Sequence, residues 1–213
     1  MEATLNTKGI ILRREYFLEN NSRVFIYTRD FGKVDLIARG SVKLSSKIAA
    51  HIEPLNLCDL MIVKGKQYDY LGSCVSEDIF GQIKKSYSLS CVAGDALKLT
   101  AEIIKGQEND EHIFMMLKKF LQTINDINIR ATNETALRLL SLGFTLKLIS
   151  MLGYQPNLQN KLVGNAKINN LVSDVLQKAL QFTFVGLLKI SLPPKDVVAA
   201  ENIVYAYKAY LFD

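Results

Sequence analysis

The sequence predicts an α+β fold in which a small closed barrel of five strands is followed by an all-helical half. Two observations predict it: β-type runs punctuated by turn residues from Gly9 to about Val75, and 3.6-residue periodicity from Ser76 onward. Size supports it, because 213 residues that are 49% hydrophobic can bury a core and suit a small domain joined to a larger one.

The expected strands are Gly9 to Arg14, Arg23 to Thr28, Lys33 to Arg39, Leu55 to Val63 and Tyr68 to Val75. Asn20-Asn21-Ser22, Asp30-Phe31-Gly32 and Lys64-Gly65-Lys66 lie between them, with Gly32 and Gly65 expected to supply the positive φ of tight hairpins. Closing so short a set of strands into an OB-type barrel removes edges that an open meander would leave unpaired. The expected helices are Gln82 to Lys105, Asp110 to Asn125, Asn133 to Leu152, Ile168 to Lys189 and Lys195 to Leu211. The third of these is apolar nearly all round, with Leu137, Leu139, Leu140, Leu142, Phe144, Leu146, Leu148 and Ile149, and is expected to run through the middle of the bundle. The domains read as 1–78, the barrel, and 79–213, the helices. With no low-complexity linker between them, the two halves are expected to pack together.

Several functions are disfavoured. Met1-Glu-Ala-Thr-Leu has no basic stretch followed by an apolar one, so a cytoplasmic protein is expected. The apolar stretch Val172 to Leu192 is interrupted by Asp174, Gln177, Lys178, Gln181 and Lys189 and reads as a buried helix with no membrane role. Cys58, Cys74 and Cys91 are far apart, with no C-x-x-C spacing, and His51 and His112 form no H-x-x-x-H pair, so no metal is expected. Phosphate-binding glycine motifs and the nucleophile elbow are absent, and Glu77-Asp78 reads as a charge complement at a strand-to-helix junction. The chain is therefore expected to be neither an enzyme nor a cofactor protein.

Charge is more informative. Lys8, Arg13, Arg14, Arg23, Arg29, Lys33, Arg39, Lys43 and Lys47 face only Glu15, Glu19, Asp30 and Asp35 within the same segment, and this excess of five equals the net charge of the chain, +5. Alternation along the second strand separates Val24, Ile26 and Thr28 from Arg23, Phe25, Tyr27 and Arg29. Alternation on the third separates Val34, Leu36 and Ala38 from Lys33, Asp35, Ile37 and Arg39, and on the first it places Arg13 with Ile11. Cations mixed with aromatic rings suit single-stranded nucleic acid, whose phosphates follow a basic groove while bases stack at about 1–3 kcal/mol each. Gly40 to Lys47 adds Lys43, Lys47 and three hydroxyls suited to phosphate. Two readings stand for Phe25 and Tyr27: stacking surfaces, or packing against the helical half. The basic residues as a group read as phosphate contacts, the alternative being a solvated rim.

The runs Gly9-Ile-Ile-Leu-Arg-Arg-Glu-Tyr, Ser22-Arg-Val-Phe-Ile-Tyr-Thr-Arg-Asp-Phe-Gly-Lys, Ile37-Ala-Arg-Gly-Ser-Val-Lys with Ser45, Glu53-Pro-Leu, and Leu152-Gly-Tyr-Gln-Pro-Asn-Leu together resemble the RecO recombination-repair family. The resemblance implies an OB-fold followed by a helical domain, binding of single- and double-stranded DNA, and annealing of complementary strands. It further implies help in loading RecA onto DNA coated by single-strand-binding protein, with RecR and the acidic C-terminal tail of single-strand-binding protein as partners. Arg13, Arg23, Arg29, Lys33, Arg39 and Lys43 fall where the family commonly has basic or polar residues; Arg14, Phe25, Tyr27 and Lys47 complete the candidate DNA-binding set. One departure is clear. Many family members follow P-x-L with cysteine pairs that form a zinc module, whereas Gln159 to Lys167 contains no cysteine. A short connection leading directly into the next helix is expected instead.

An alternative makes the helical half the working part, docking acidic peptide tails in an apolar groove rimmed by Arg130, Arg138 and Lys147. A third reading, an RNA-binding OB protein, finds no residues set to read a 2′-hydroxyl.

Overall fold

A computed structural model describes residues 4–106, 109–128 and 132–212. The chain divides into two compact units, Met1–Asn125 and Asp126–Asp213. The first contains β1 (Thr4–Phe17), β2 (Asn21–Thr28), β3 (Gly32–Ala38), β4 (Leu57–Val63) and β5 (Asp69–Asp78), then α1 (Gly81–Lys84), α2 (Tyr87–Ile103) and α3 (Glu111–Asn125).

The five strands form a closed barrel in the order β1-β2-β3-β5-β4, the OB-fold arrangement expected from the sequence. Closure falls to β1, which is longer than its apolar run. Residues Gly9 to Phe17 pair with β2, and residues Thr4 to Ile10 pair with β4, so one strand serves both neighbours. The last gap is closed by a short parallel contact, Leu36 with Asp69 and Ile37 with Tyr70. Ile11, Val24, Ile26, Val34, Leu36, Ala38, Cys58, Leu60, Ile62, Leu71 and Cys74 fill the interior. The connection between β3 and β4 folds back over the barrel mouth and contributes Ile52 to that interior, with Ile48 packed against it.

Local chemistry sets the boundaries. Gly32 has φ +62° in the β2–β3 hairpin, as expected. Gly65 does not take up positive φ; glycine is required there because a Cβ would lie 2.1 Å from the Tyr68 carbonyl oxygen and 2.9 Å from the Tyr70 ring. β4 begins two residues later than expected because Leu55 sits at φ +80°, outside the strand region. The first expected helix is broken at Ser86, whose hydroxyl accepts from the Leu89 amide and starts α2 afresh. Cys58 and Cys74 are buried free thiols, and His51 Nδ1 accepts the Ser76 amide at 3.1 Å, which gives this histidine a structural role.

The second unit contains α4 (Glu134–Met151), β6 (Leu162–Val163), β7 (Ala166–Lys167), α5 (Asn170–Gln181), α6 (Phe184–Leu187) and α7 (Pro194–Phe212). α4 is central, packing against α5, α6 and α7 and burying the apolar residues that mark it in the sequence. Asn133, Asn169 and Thr183 cap α4, α5 and α6 through their side chains. The Thr183 cap splits the expected helix from Ile168 to Lys189 in two. The segment after Leu158 is not a direct lead into a helix either: β6 and β7 pair as a two-stranded hairpin, extended by a bridge between Asn157 and Leu162.

Gly9 is the tightest point of the barrel, since a Cβ there would meet Ile26 Cγ2 at 2.6 Å and Leu60 Cδ2 at 2.9 Å. Both neighbours are core residues, and the γ-methyl of a β-branched side chain has little freedom to move. Gly9→Ala is expected to cost about 1–3 kcal/mol through overpacking, read as a lowered denaturant midpoint.

Candidate nucleic-acid interface

The outer face of β1, β2, β3 and β5 carries the candidate site, and a β-bulge decides which residues reach it. Register between β1 and β2 shifts between Ile11 and Arg13: Ile11 pairs with Ile26, but Arg13 pairs with Phe25 and Arg14 with Val24. The extra residue turns Ile11 into the core and Arg13 outward beside Phe25. Simple alternation, which groups Arg13 with Ile11, is therefore corrected here.

Arg14 is turned toward the barrel mouth. Its Nε donates to the Ser22 hydroxyl at 3.0 Å, its guanidinium reaches the Ser41 and Ala49 carbonyls at 3.4 Å, and it pairs with Glu53 at 2.5 Å. It pins the β3–β4 connection in place and is thereby engaged away from the outer surface. Tyr27 is also withdrawn. It is fully buried, and its hydroxyl donates to the Asp110 carbonyl at 3.3 Å, so the packing reading of this aromatic is the one the fold adopts. Burial, with the nearby Asp110 charge, pushes its phenol up to about 12. Lys33, opposite Tyr27, donates to the Ala101 carbonyl at the end of α2 at 2.8 Å, and burial pushes its amine down, with Arg13 and Lys105 adding to the effect.

Arg29 lies six residues beyond Arg23, about 20 Å along an extended chain. It pairs with Asp30 at 3.1 Å and shares a pocket of about 370 Å³ with Lys8. Lys8 is itself tied to Glu77 at 2.5 Å, an interaction that holds the Glu77 carboxyl below the usual carboxylate range.

What the fold brings together is Arg13, Arg23, Phe25 and Arg39. Arg13 and Arg23 sit 4.3 and 5.3 Å from the centroid of the Phe25 ring, and Arg39 sits 3.9 Å from that of Tyr70. Arg23 donates to Asp35 through Nε at 2.7 and 2.9 Å and through a terminal nitrogen, and Arg13 pairs with Glu15 at 3.0 Å. Lys43 follows closely: the turn at Gly40, with Lys43 N–H bonded to the Gly40 carbonyl, puts it next to Arg39. Lys47 is further along the same connection. Among the described residues, Arg39, Lys43 and Lys47 are exposed and take part in no ion pair.

Sequence reasoning missed the aromatic rim of this face. Tyr70 stacks with Arg39, and Tyr68 meets Phe17 edge-on with centroids 5.7 Å apart. Lys66, in the β4–β5 loop, is exposed. The missed signal was positional: in an OB barrel the β1–β2 and β4–β5 loops flank the β2–β3 face, so Phe17, Lys66 and Tyr68 could have been drawn in from their loop positions.

The sequence model described as Recombination protein O N terminal matches residues 1–80, and that described as Recombination protein O C terminal matches residues 86–209. The chain belongs to the recombination protein O family. It is 26% identical over 165 residues to the DNA repair protein RecO of Caldanaerobacter subterraneus subsp. tengcongensis, covering 78% of this chain and 64% of that protein. To the DNA repair protein RecO of Clostridium perfringens it is 30% identical over 158 residues, 71% of this chain and 59% of that protein. The chain therefore spans less than two thirds of the length of these relatives. Among the described residues no helix is long and apolar enough to cross a membrane.

In the second unit the two candidate partner residues that are described, Arg138 and Lys147, are each engaged within the protein. Arg130 lies outside the described residues. Arg138 is held by Glu134 at 2.8 Å and Glu201 at 2.9 Å. Lys147 is half-buried and donates to the Leu180 carbonyl, at the end of α5, and burial pushes its amine down. Its cation thus closes a helix C-terminus.

The raised phenol of Tyr27 has a pH consequence. The unfolded chain loses this proton from about pH 10, whereas the folded barrel keeps it until about 12. The stability that Tyr27 contributes is therefore complete below pH 10 and lost as pH rises to 12, on the order of 2 kcal/mol. In denaturant titrations, Tyr27→Phe is expected to flatten the decline between pH 10 and 12 relative to the wild type.

Proposed function

We propose that the chain is a DNA-binding protein of recombinational DNA repair that takes up single- and double-stranded DNA on the outer face of its barrel, with no covalent chemistry of its own. Its family, and the DNA repair proteins RecO that it resembles, support the repair role. In this reading it anneals complementary strands in the cytoplasm and, with RecR, helps RecA load onto DNA covered by single-strand-binding protein, whose acidic tail is a further partner. Residues 1–78 act as the DNA-binding part and residues 79–213 as the part available to protein partners.

One observation carries the reading: Arg39 stands over Tyr70 on the face that presents Phe25 and Tyr68, and it is followed on the same connection by the exposed Lys43 and Lys47, none of the three in an ion pair among the described residues. Cations not already neutralised displace the counterions condensed on DNA, and aromatic rims add sequence-tolerant stacking.

The test is a salt titration of binding to unrelated oligonucleotides. Wild-type affinity is expected to fall steeply with salt. Replacing Arg39, Lys43 and Lys47 together by Ala is expected to weaken all sequences alike and to reduce the slope of log K against log salt by about two to three. A flat salt response in the wild type, or a triple variant that binds as the wild type does, refutes the assignment.

A further inference from the structure

Charges of alternating sign surround Phe25. In the β1–β2–β3 register Arg13 and Asp35 flank Phe25 directly, and Glu15 lies beside Arg23 in the neighbouring outward row. Arg23 is closed on Asp35 and Arg13 on Glu15, while both guanidinium groups remain over the Phe25 ring. The ring is thus screened by cations, and each cation already holds a carboxylate where a phosphate would bind.

We propose that Asp35 and Glu15 are specificity-determining residues: in the free protein they hold Arg23 and Arg13 over Phe25, and a single-stranded nucleic acid binds by exchanging each carboxylate for a backbone phosphate and seating a base on the uncovered ring. This rests on the barrel face being the nucleic-acid interface. The exchange is chemically matched, because the guanidinium fork that grips a carboxylate grips a phosphate in the same way. It is also accessible. The side chains of Arg13, Glu15, Arg23 and Asp35 are 55%, 44%, 43% and 36% exposed, so both pairs are screened by solvent and easily opened. The carboxylates oppose any polyanion. A single strand recovers the loss by stacking a base on Phe25, whereas a duplex keeps its bases stacked on one another and recovers nothing. The two acids therefore bias the face toward single strands.

The proposal is tested by fluorescence anisotropy with a labelled oligothymidylate and with a hairpin duplex of equal phosphate number. Asp95→Asn, on the exposed side of α2, serves as the control for the same change of net charge. Asp35→Asn is expected to tighten binding about fivefold beyond that control, more for the duplex than for the single strand. For the single strand, the slope of log K against log salt should steepen by about 0.7. In an Arg23→Ala background the gain from Asp35→Asn should shrink to that of the control, because the carboxylate then has no cation to hold. Glu15→Gln with Arg13→Ala gives a second, independent cycle with the same expectation. A gain that survives undiminished in the Arg23→Ala background is a simple field effect and overturns the proposal, as does a gain no larger than the control. A wild-type protein that binds neither probe overturns the reading of the face itself, and so is distinguishable from failure of the exchange alone.

Discussion

The fold depends on a single strand that hydrogen-bonds along both of its edges. β1 pairs with β2 over its second half and with β4 over its first, so it is the seam that closes the sheet into a barrel. Only Gly9 and Ile10 pair on both sides, so each half of the strand takes its register from a different neighbour. Its one irregularity, the bulge between Ile11 and Arg13, places an extra residue where β1 leaves β4 and continues along β2 alone. Everything outward on β1 beyond that point is set by it: Arg13 beside Phe25, Glu15 beside Arg23, Arg14 turned to the barrel mouth.

Once the barrel is closed, the count of basic residues stops being a measure of the binding surface. Nine cations fall between residues 8 and 47, yet the fold gives them different uses. Lys8, Arg13, Arg14, Arg23 and Arg29 meet carboxylates, and Lys33 meets a helix-terminal carbonyl. A cation that already neighbours an acid adds little net charge to a phosphate contact, so the exposed members of these nine with no ion pair among the described residues are Arg39, Lys43 and Lys47. These three lie on the β3–β4 connection, which makes a structural residue indirectly important: Arg14, through its bonds to Ser41, Ala49 and Glu53, holds the segment that presents them.

The architecture was legible in the sequence because it rests on periodicity. Five β-type runs, a change to helical spacing near Ser76 and an all-apolar central helix each became the element they indicated. What escaped was set by single residues acting through three-dimensional neighbours. Ser86 and Thr183 break helices through one hydroxyl each, which apolar spacing does not register. Gly65 is required by the closeness of Tyr68 and Tyr70, a contact invisible in a local reading. Alternation identified Tyr27 as outward-facing correctly, but outward is not the same as exposed: that end of the face is covered by the chain around Asp110. For the site, cations and Phe25 could be read from strand parity up to the bulge, whereas Tyr68 and Tyr70 required knowing that β5 returns beside β3.

The pairing of β3 with β5 also explains why Arg39 meets the aromatic rim at one end of the face. The parallel contact is only two residues long, Leu36 with Asp69 and Ile37 with Tyr70. Past Ala38 the chain leaves the sheet, so Arg39 has no strand neighbour to supply a cross-strand acid of the kind Asp35 gives Arg23. It stacks on Tyr70 instead. A short closing contact thus frees both chains just where the face ends, and Arg39 meets Tyr70 there. The opposite end, where β2 and β3 are joined by a tight hairpin at Gly32 and covered by the helical segment, has no such freedom, and its charges are satisfied within the protein. The same rule of strand pairing therefore builds the core and decides which end of the barrel is open to a polyanion.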